Sequence, residues 1–181
     1  MSKFLRYAAV GAAVASFGIA SGAQAATTDS ATATAKILST LAVAVDSTEN
    51  TLDFGSIADS GISTPQTLDV SAGGVRGTCP TGLTCSGTTK APKFHVSGTN
   101  TKVVNISFVN ASETLNYVGT APTGFASSAM SVSNFVTDAT GNQVTLASTG
   151  ADFHVGGTLT VPVDSAPGVY QGTLTVSVAY N

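Results

Sequence analysis

The chain contains no tryptophan and only two cysteines, and charged residues make up just 9% of its 181 positions. Seven Lys/Arg stand against ten Asp/Glu, which argues against nucleic acid as a partner, because a nucleic-acid footprint is a basic patch. Scarce Glu and Lys also argue against solvent-exposed helices, whose outer faces are usually built from them. No stretch beyond the first 25 residues keeps a helical period, and none is apolar for long enough to span a bilayer. Gly-x-Ser-x-Gly, His-Glu-x-x-His and phosphate-loop motifs are all missing. The expectation is a protein that is not an enzyme and needs no cofactor.

What is abundant is threonine, serine, glycine, alanine and valine, the composition of twisted sheets with hydroxyl-bearing outer faces. Strand patterns recur at 51–57, 66–71, 92–97, 103–109, 114–118, 129–137, 143–146 and 153–161. Turn residues such as Gly73-Gly74, Pro122-Thr123-Gly124, Gly141-Asn142 and Pro167-Gly168 separate them. Many short strands punctuated in this way predict an all-β fold, an antiparallel sandwich with Greek-key connections.

Both ends carry more specific signals. Lys3 and Arg6 precede an apolar run over residues 7–20, and Ala23-Gln24-Ala25 supplies small residues for a signal peptidase. This predicts a signal peptide over 1–25, cleavage after Ala25, and a single exported domain over 26–181. Ala31, Ala33, Ala35, Ile37, Leu41, Val43 and Val45 then alternate with polar residues, which predicts a long first strand. Its bulky half, 41–45, suits a permanent core. Its alanine-rich half, within 26–40, suits a strand that can be lent.

The last fourteen residues read as one strand, with Tyr170, Leu174, Val176, Val178 and Tyr180 on the apolar face and Gln171, Thr173, Thr175 and Ser177 opposite.

Cys79 and Cys85 flank a Pro/Gly turn, and an even count in an exported chain predicts that they are bonded to each other. His95 and His154 each lie between apolar strand residues and so should face solvent. With no cluster of further ligands, neither is expected to bind metal. Asp152 lies two residues before His154, but no nucleophile completes a triad. Asp46, Glu49 and Asp53 lack the spacing of a calcium loop and read as solvated turn carboxylates.

Gly168 at fourteen residues from the end, with the penultimate Tyr180, resembles the terminal strand of bacterial chaperone–usher pilins. Ala31 to Leu38, Leu52-Asp53-Phe54-Gly55-Ser56-Ile57, Val155 to Val161 and Gly168 to Gly172 together resemble the bacterial domain-of-unknown-function family 4402. That family is itself similar to archaic chaperone–usher fimbrial subunits. The resemblance implies an immunoglobulin-like β-sandwich that passes through the periplasm to the cell surface, the fimbrium or the extracellular space. It implies as partners further copies of the chain or related pilins, a periplasmic chaperone and an outer-membrane usher. The implied mechanism is donor-strand complementation, with Ala31, Ala33, Ala35 and Ile37 donated and the strand from Gly168 to Tyr180 receiving. The alternative is a self-complemented surface module for binding or adhesion.

Overall fold

The computed structural model describes residues 30–181. The described residues fall into a short segment up to Lys36 and a compact unit, Ile37–Asn181. The signal-peptide expectation for 1–25 lies outside the described residues, as do Ala26 to Asp29. Residues 30–36 are exposed and carry no regular secondary structure.

The compact unit is all-β, with strands β1 (Ala42–Val45), β2 (Ser56–Asp59), β3 (Gln66–Val70), β4 (Leu83–Ser86), β5 (Lys93–Ser97) and β6 (Val103–Phe108). They are followed by β7 (Ser112–Tyr117), β8 (Ala129–Thr137), β9 (Gln143–Thr145), β10 (Ala151–Val161), β11 (Tyr170–Gln171) and β12 (Val176–Tyr180). The named strands pair antiparallel throughout. The large sheet runs β1-β5-β10-β8-β7-β11, with β3 also on β10; β12-β6-β9 and β2-β4 form two smaller sheets. The chain crosses repeatedly between sheets, from β5 to β6 and back to β7. The result is the antiparallel sandwich that the strand pattern predicts, with the immunoglobulin-like form that the resemblance implies.

β10 organises the molecule because it is long enough to serve two cores. Its first half pairs with β5 and its second with β3, while β8 follows the opposite edge. Phe153 and Val155 project into one apolar cluster, with Val96, Val104, Ile106 and Leu146. Leu159 and Val161 project into another, with Phe54, Leu68, Val70, Leu83 and Val132. Each small sheet covers one half of the large one. Full burial of each such side chain stabilises by roughly 1.5–3 kcal/mol, so these two clusters supply most of the driving force.

Phe135 packs against both clusters, which its sequence position alone does not allow. On β8 the inward residues Met130 and Val132 are even-numbered. Asn134 then adopts a left-handed conformation, φ 49°, and the register against β10 shifts there. One extra residue in the strand turns odd-numbered Phe135 inward, the effect of a β-bulge. Asparagine tolerates this backbone better than most residues do.

Three expectations need correcting. The first strand is much shorter than its alternation suggests: it begins at Ala42, while residues 30–40 are outside any strand, because alternation makes a strand only when it pairs with a neighbour, and these residues pair with none among those described. The terminal segment is two strands rather than one, with β11 on β7 in the large sheet and β12 on β6 in the small one. The chain changes sheets over residues 172–175. β4 lies in a stretch that reads as a turn.

Candidate functional site

β12 has one paired edge and one open edge. Its register runs from Val176 opposite Phe108 to Tyr180 opposite Val104. Val109 N–H donates to Thr175 C=O, and Asn181 N–H donates to Val103 C=O, so odd-numbered residues face β6. In an antiparallel strand the neighbours then point their N–H and C=O the other way. The backbone groups of Val176, Val178 and Tyr180 therefore line an edge that pairs with no strand among the described residues.

β1 forms the matching edge of the large sheet. Asp46 N–H bonds Lys93 C=O, which leaves the backbone of Val43 and Val45 turned outward by the same alternation. β1 and β12 approach within 8 Å, Cα to Cα, yet no backbone hydrogen bond joins them. Beneath the two edges lies the second cluster. Its fully buried members sit deep, but Leu41, Val43, Leu174, Val176, Val178 and Tyr180 remain only partly buried. Val45 is 48% exposed. Apolar side chains and unpaired backbone groups thus share one margin of the sandwich.

One end of this margin is tied shut by Tyr180. Its hydroxyl accepts the Thr99 N–H at 2.7 Å and donates to the Ser39 carbonyl at 3.0 Å, while Ser39 N–H donates to Thr99 Oγ1 at 2.7 Å. Gly98 makes room for this, since a Cβ there would overlap the Tyr180 hydroxyl and touch Leu146 and Leu41. Ser39, three residues before β1, is in this way fastened to β12. Neither Ser39 nor Thr99 stands out in the sequence, because Ser39 links only through backbone groups and Thr99 is one threonine among many.

Gly168 and Tyr170 build a different feature, the corner between β10 and β11. The Tyr170 hydroxyl donates to the carbonyl of Ala166, four residues earlier, at 2.6 Å, the tyrosine corner of immunoglobulin-like sandwiches. Burial, and secondarily the neighbouring Tyr117, push the Tyr170 phenol above its ordinary pKa, so it stays a proton donor. Tyr117 meets it edge-on at 5.5 Å and donates to Pro167 C=O. A Cβ on Gly168 would overlap the Tyr117 ring.

The cysteines are bonded, Cys79 to Cys85, with Cα atoms 5.9 Å apart. Cys85 lies on β4 opposite Ile57, and both cysteines pack against the first cluster. Ala31, Ala33 and Ala35 are exposed and outside any strand, and Ile37 is 94% exposed.

The charged residues form ordinary pairs. Lys93 is held between Asp46 at 3.1 Å and Glu49 at 3.4 Å, and Asp53 instead accepts the Gly55 N–H. The Asp46 carboxyl lies well below the usual range, chiefly because the Thr48 hydroxyl and N–H donate to it, with Lys93 and the Glu49 N–H adding to the effect. Lys93 is raised in return by Asp46 and then Glu49. Asp152 bonds His95 across the β5–β10 pair at 2.5 Å rather than His154. His154 bonds Asp138 at 2.7 Å. Among the described residues no group of three or more His, Cys, Asp or Glu could hold a metal ion.

A family described as "Domain of unknown function (DUF4402)" matches residues 41–180. The chain belongs to this family. No curated protein and no solved structure matches it. The matched region begins at Leu41, the residue before β1, and ends at Tyr180. The family domain is thus the sandwich with both of its open edges, and residues 26–40 precede it.

Proposed function

We propose that this chain is an exported structural subunit of a surface fibre, joined to its neighbours by donated strands and without catalytic activity. The observation that carries the reading is the open edge of β12. Three residues there present backbone groups with no strand partner among the described residues, above side chains that are only partly covered. An exposed edge of this kind is a liability in a free monomer and a site for strand addition in an assembly.

The donor is the N-terminal segment of a second copy. Ala31, Ala33, Ala35 and Ile37 are four alternate apolar positions, as are Leu174, Val176, Val178 and Tyr180, so the two strands match in length. Ile37 brings the largest apolar gain, roughly 1.5–3 kcal/mol if fully buried. The alanines contribute less, and the strand leans on ladder hydrogen bonds of about 0.5–1.5 kcal/mol each. Before assembly a periplasmic chaperone covers the same edge, and an outer-membrane usher passes the subunit on to the cell surface.

Removing residues 26–35 tests the proposal. The truncated chain should fold, with a melting point close to that of the free full-length subunit, but should form no polymer. A truncated chain that unfolds, or a full-length chain that stays monomeric under all conditions, would overturn it.

A further inference from the structure

The outer face of the large sheet carries a depression of about 470 Å³ beside the bulge in β8. Asp69 of β3 and Thr158 of β10 stand directly opposite each other there. Asn134 and Ser71 add to the polar lining, the Ser71 hydroxyl already accepting the Val75 N–H, and Val75 and Val136 flank it. It lies on the side of the sheet away from Leu68 and Leu159, which point into the first cluster.

Three of these polar groups are unused. Among the described residues the Asp69 carboxylate, the Asn134 amide and the Thr158 hydroxyl make no side-chain hydrogen bond or ion pair. Arg76 stands opposite inward-facing Val70 and turns its guanidinium to the Ser86 and Gly87 carbonyls, on the other side of the sheet. The charge that opens into the hollow is the Asp69 carboxylate. The two valines are 67% and 48% exposed, more than isolated sheet-face valines need be. The left-handed Asn134 aims an amide into the hollow, and such bulges recur where a strand must re-aim a side chain.

We propose that this depression binds a neutral sugar. A pyranose ring has hydroxyls that both donate and accept, which suits a carboxylate, an amide and a hydroxyl together. It also has an apolar C–H face, which suits the exposed valines. A few convergent polar groups on an apolar lining are the usual make-up of a small-ligand site. The Asp69 carboxylate repels anions and so excludes acidic sugars and phosphates as the preferred ligand. The site does not depend on how subunits join, but in a fibre it would recur on every copy and gain avidity from repetition.

Saturation-transfer difference NMR on the full-length exported protein, monomeric or polymeric, tests this with the methyl glycosides of glucose, galactose and mannose as probes. At least one should show transfer. Asn134→Gly keeps the left-handed backbone, and Asp69→Ala alters an exposed side chain, so both variants should keep the wild-type melting point. Each should weaken the response about tenfold or more, the usual loss for a hydrogen bond to a charged or well-placed polar group. No transfer from any neutral glycoside would overturn the assignment. Transfer unchanged in both variants, or transfer from the zwitterion glycylglycine in place of the glycosides, would overturn it as well.

Discussion

The Tyr180 hydroxyl donates to the Ser39 carbonyl across 141 positions of sequence, at 3.0 Å. This contact ties the segment just before the family domain to the last residue of that domain, and it fixes where the N-terminal segment leaves the sandwich. Tyr180→Phe keeps the ring but leaves Ser39 C=O and Thr99 N–H without their partner. The expected cost is about 1–2 kcal/mol, read by denaturant unfolding. Gly98→Ala should reproduce the loss by pushing the hydroxyl away. A Tyr180→Phe variant as stable as wild type would show that the link holds nothing.

The corner at Gly168 is the second point of strain. Gly168→Ala drives a methyl group into the Tyr117 ring and disturbs its edge contact with Tyr170. Overpacking of this sort costs about 1–3 kcal/mol. A melting point within error of wild type would mean that the corner is looser than the packing implies.

Opening the Cys79–Cys85 loop should cost about 2 kcal/mol by the chain-entropy argument for so short a loop. Cys79→Ser/Cys85→Ser should therefore fold, with a lowered midpoint. In the exported protein, alkylation without reductant should label neither thiol; ready labelling of either would contradict the closed loop.

Acid should weaken the fold partly through Asp46. Its carboxyl is depressed in the folded state by the Thr48 bonds first and Lys93 next. The contribution is therefore complete above the unfolded carboxylate value, about 3.9, and is lost as pH falls below it. Lys93, raised by the same pair, contributes below its unfolded value of about 10.4 and loses that contribution as pH rises through its folded value. Asp46→Asn should flatten the acid limb of a stability–pH curve. An acid limb identical to wild type would assign the loss to other carboxylates.

Much of this architecture can be read from the sequence because the inward parity survives most irregularities. The pattern at 129–137 coincides with β8, and that at 153–161 covers nearly all of β10. Across the terminal break, even-numbered residues still face inward, so the apolar face is legible although the change of sheet is not. That change depends on which neighbour each half meets, β7 or β6, and no local residue encodes it. The bulge at Asn134 is hidden for a similar reason: asparagine permits the left-handed backbone without demanding it. Residues 31–37 carry a strand's alternation with no partner edge among the described residues, so their pattern records a capacity rather than a pairing. Of the open edge, the sequence displays the side chains. Which backbone groups lack partners follows only from the β6–β12 register.

Amide hydrogen exchange at Val176, Val178 and Tyr180 tests strand donation most directly. In the chain lacking residues 26–35 these three amides should exchange rapidly, while those of Ser177 and Ala179, which face β6, stay protected. In the full-length polymer, or after adding a peptide of residues 26–37 to the truncated chain, all three should become protected together. Protection already complete in the truncated monomer, or no gain on assembly, would contradict the account.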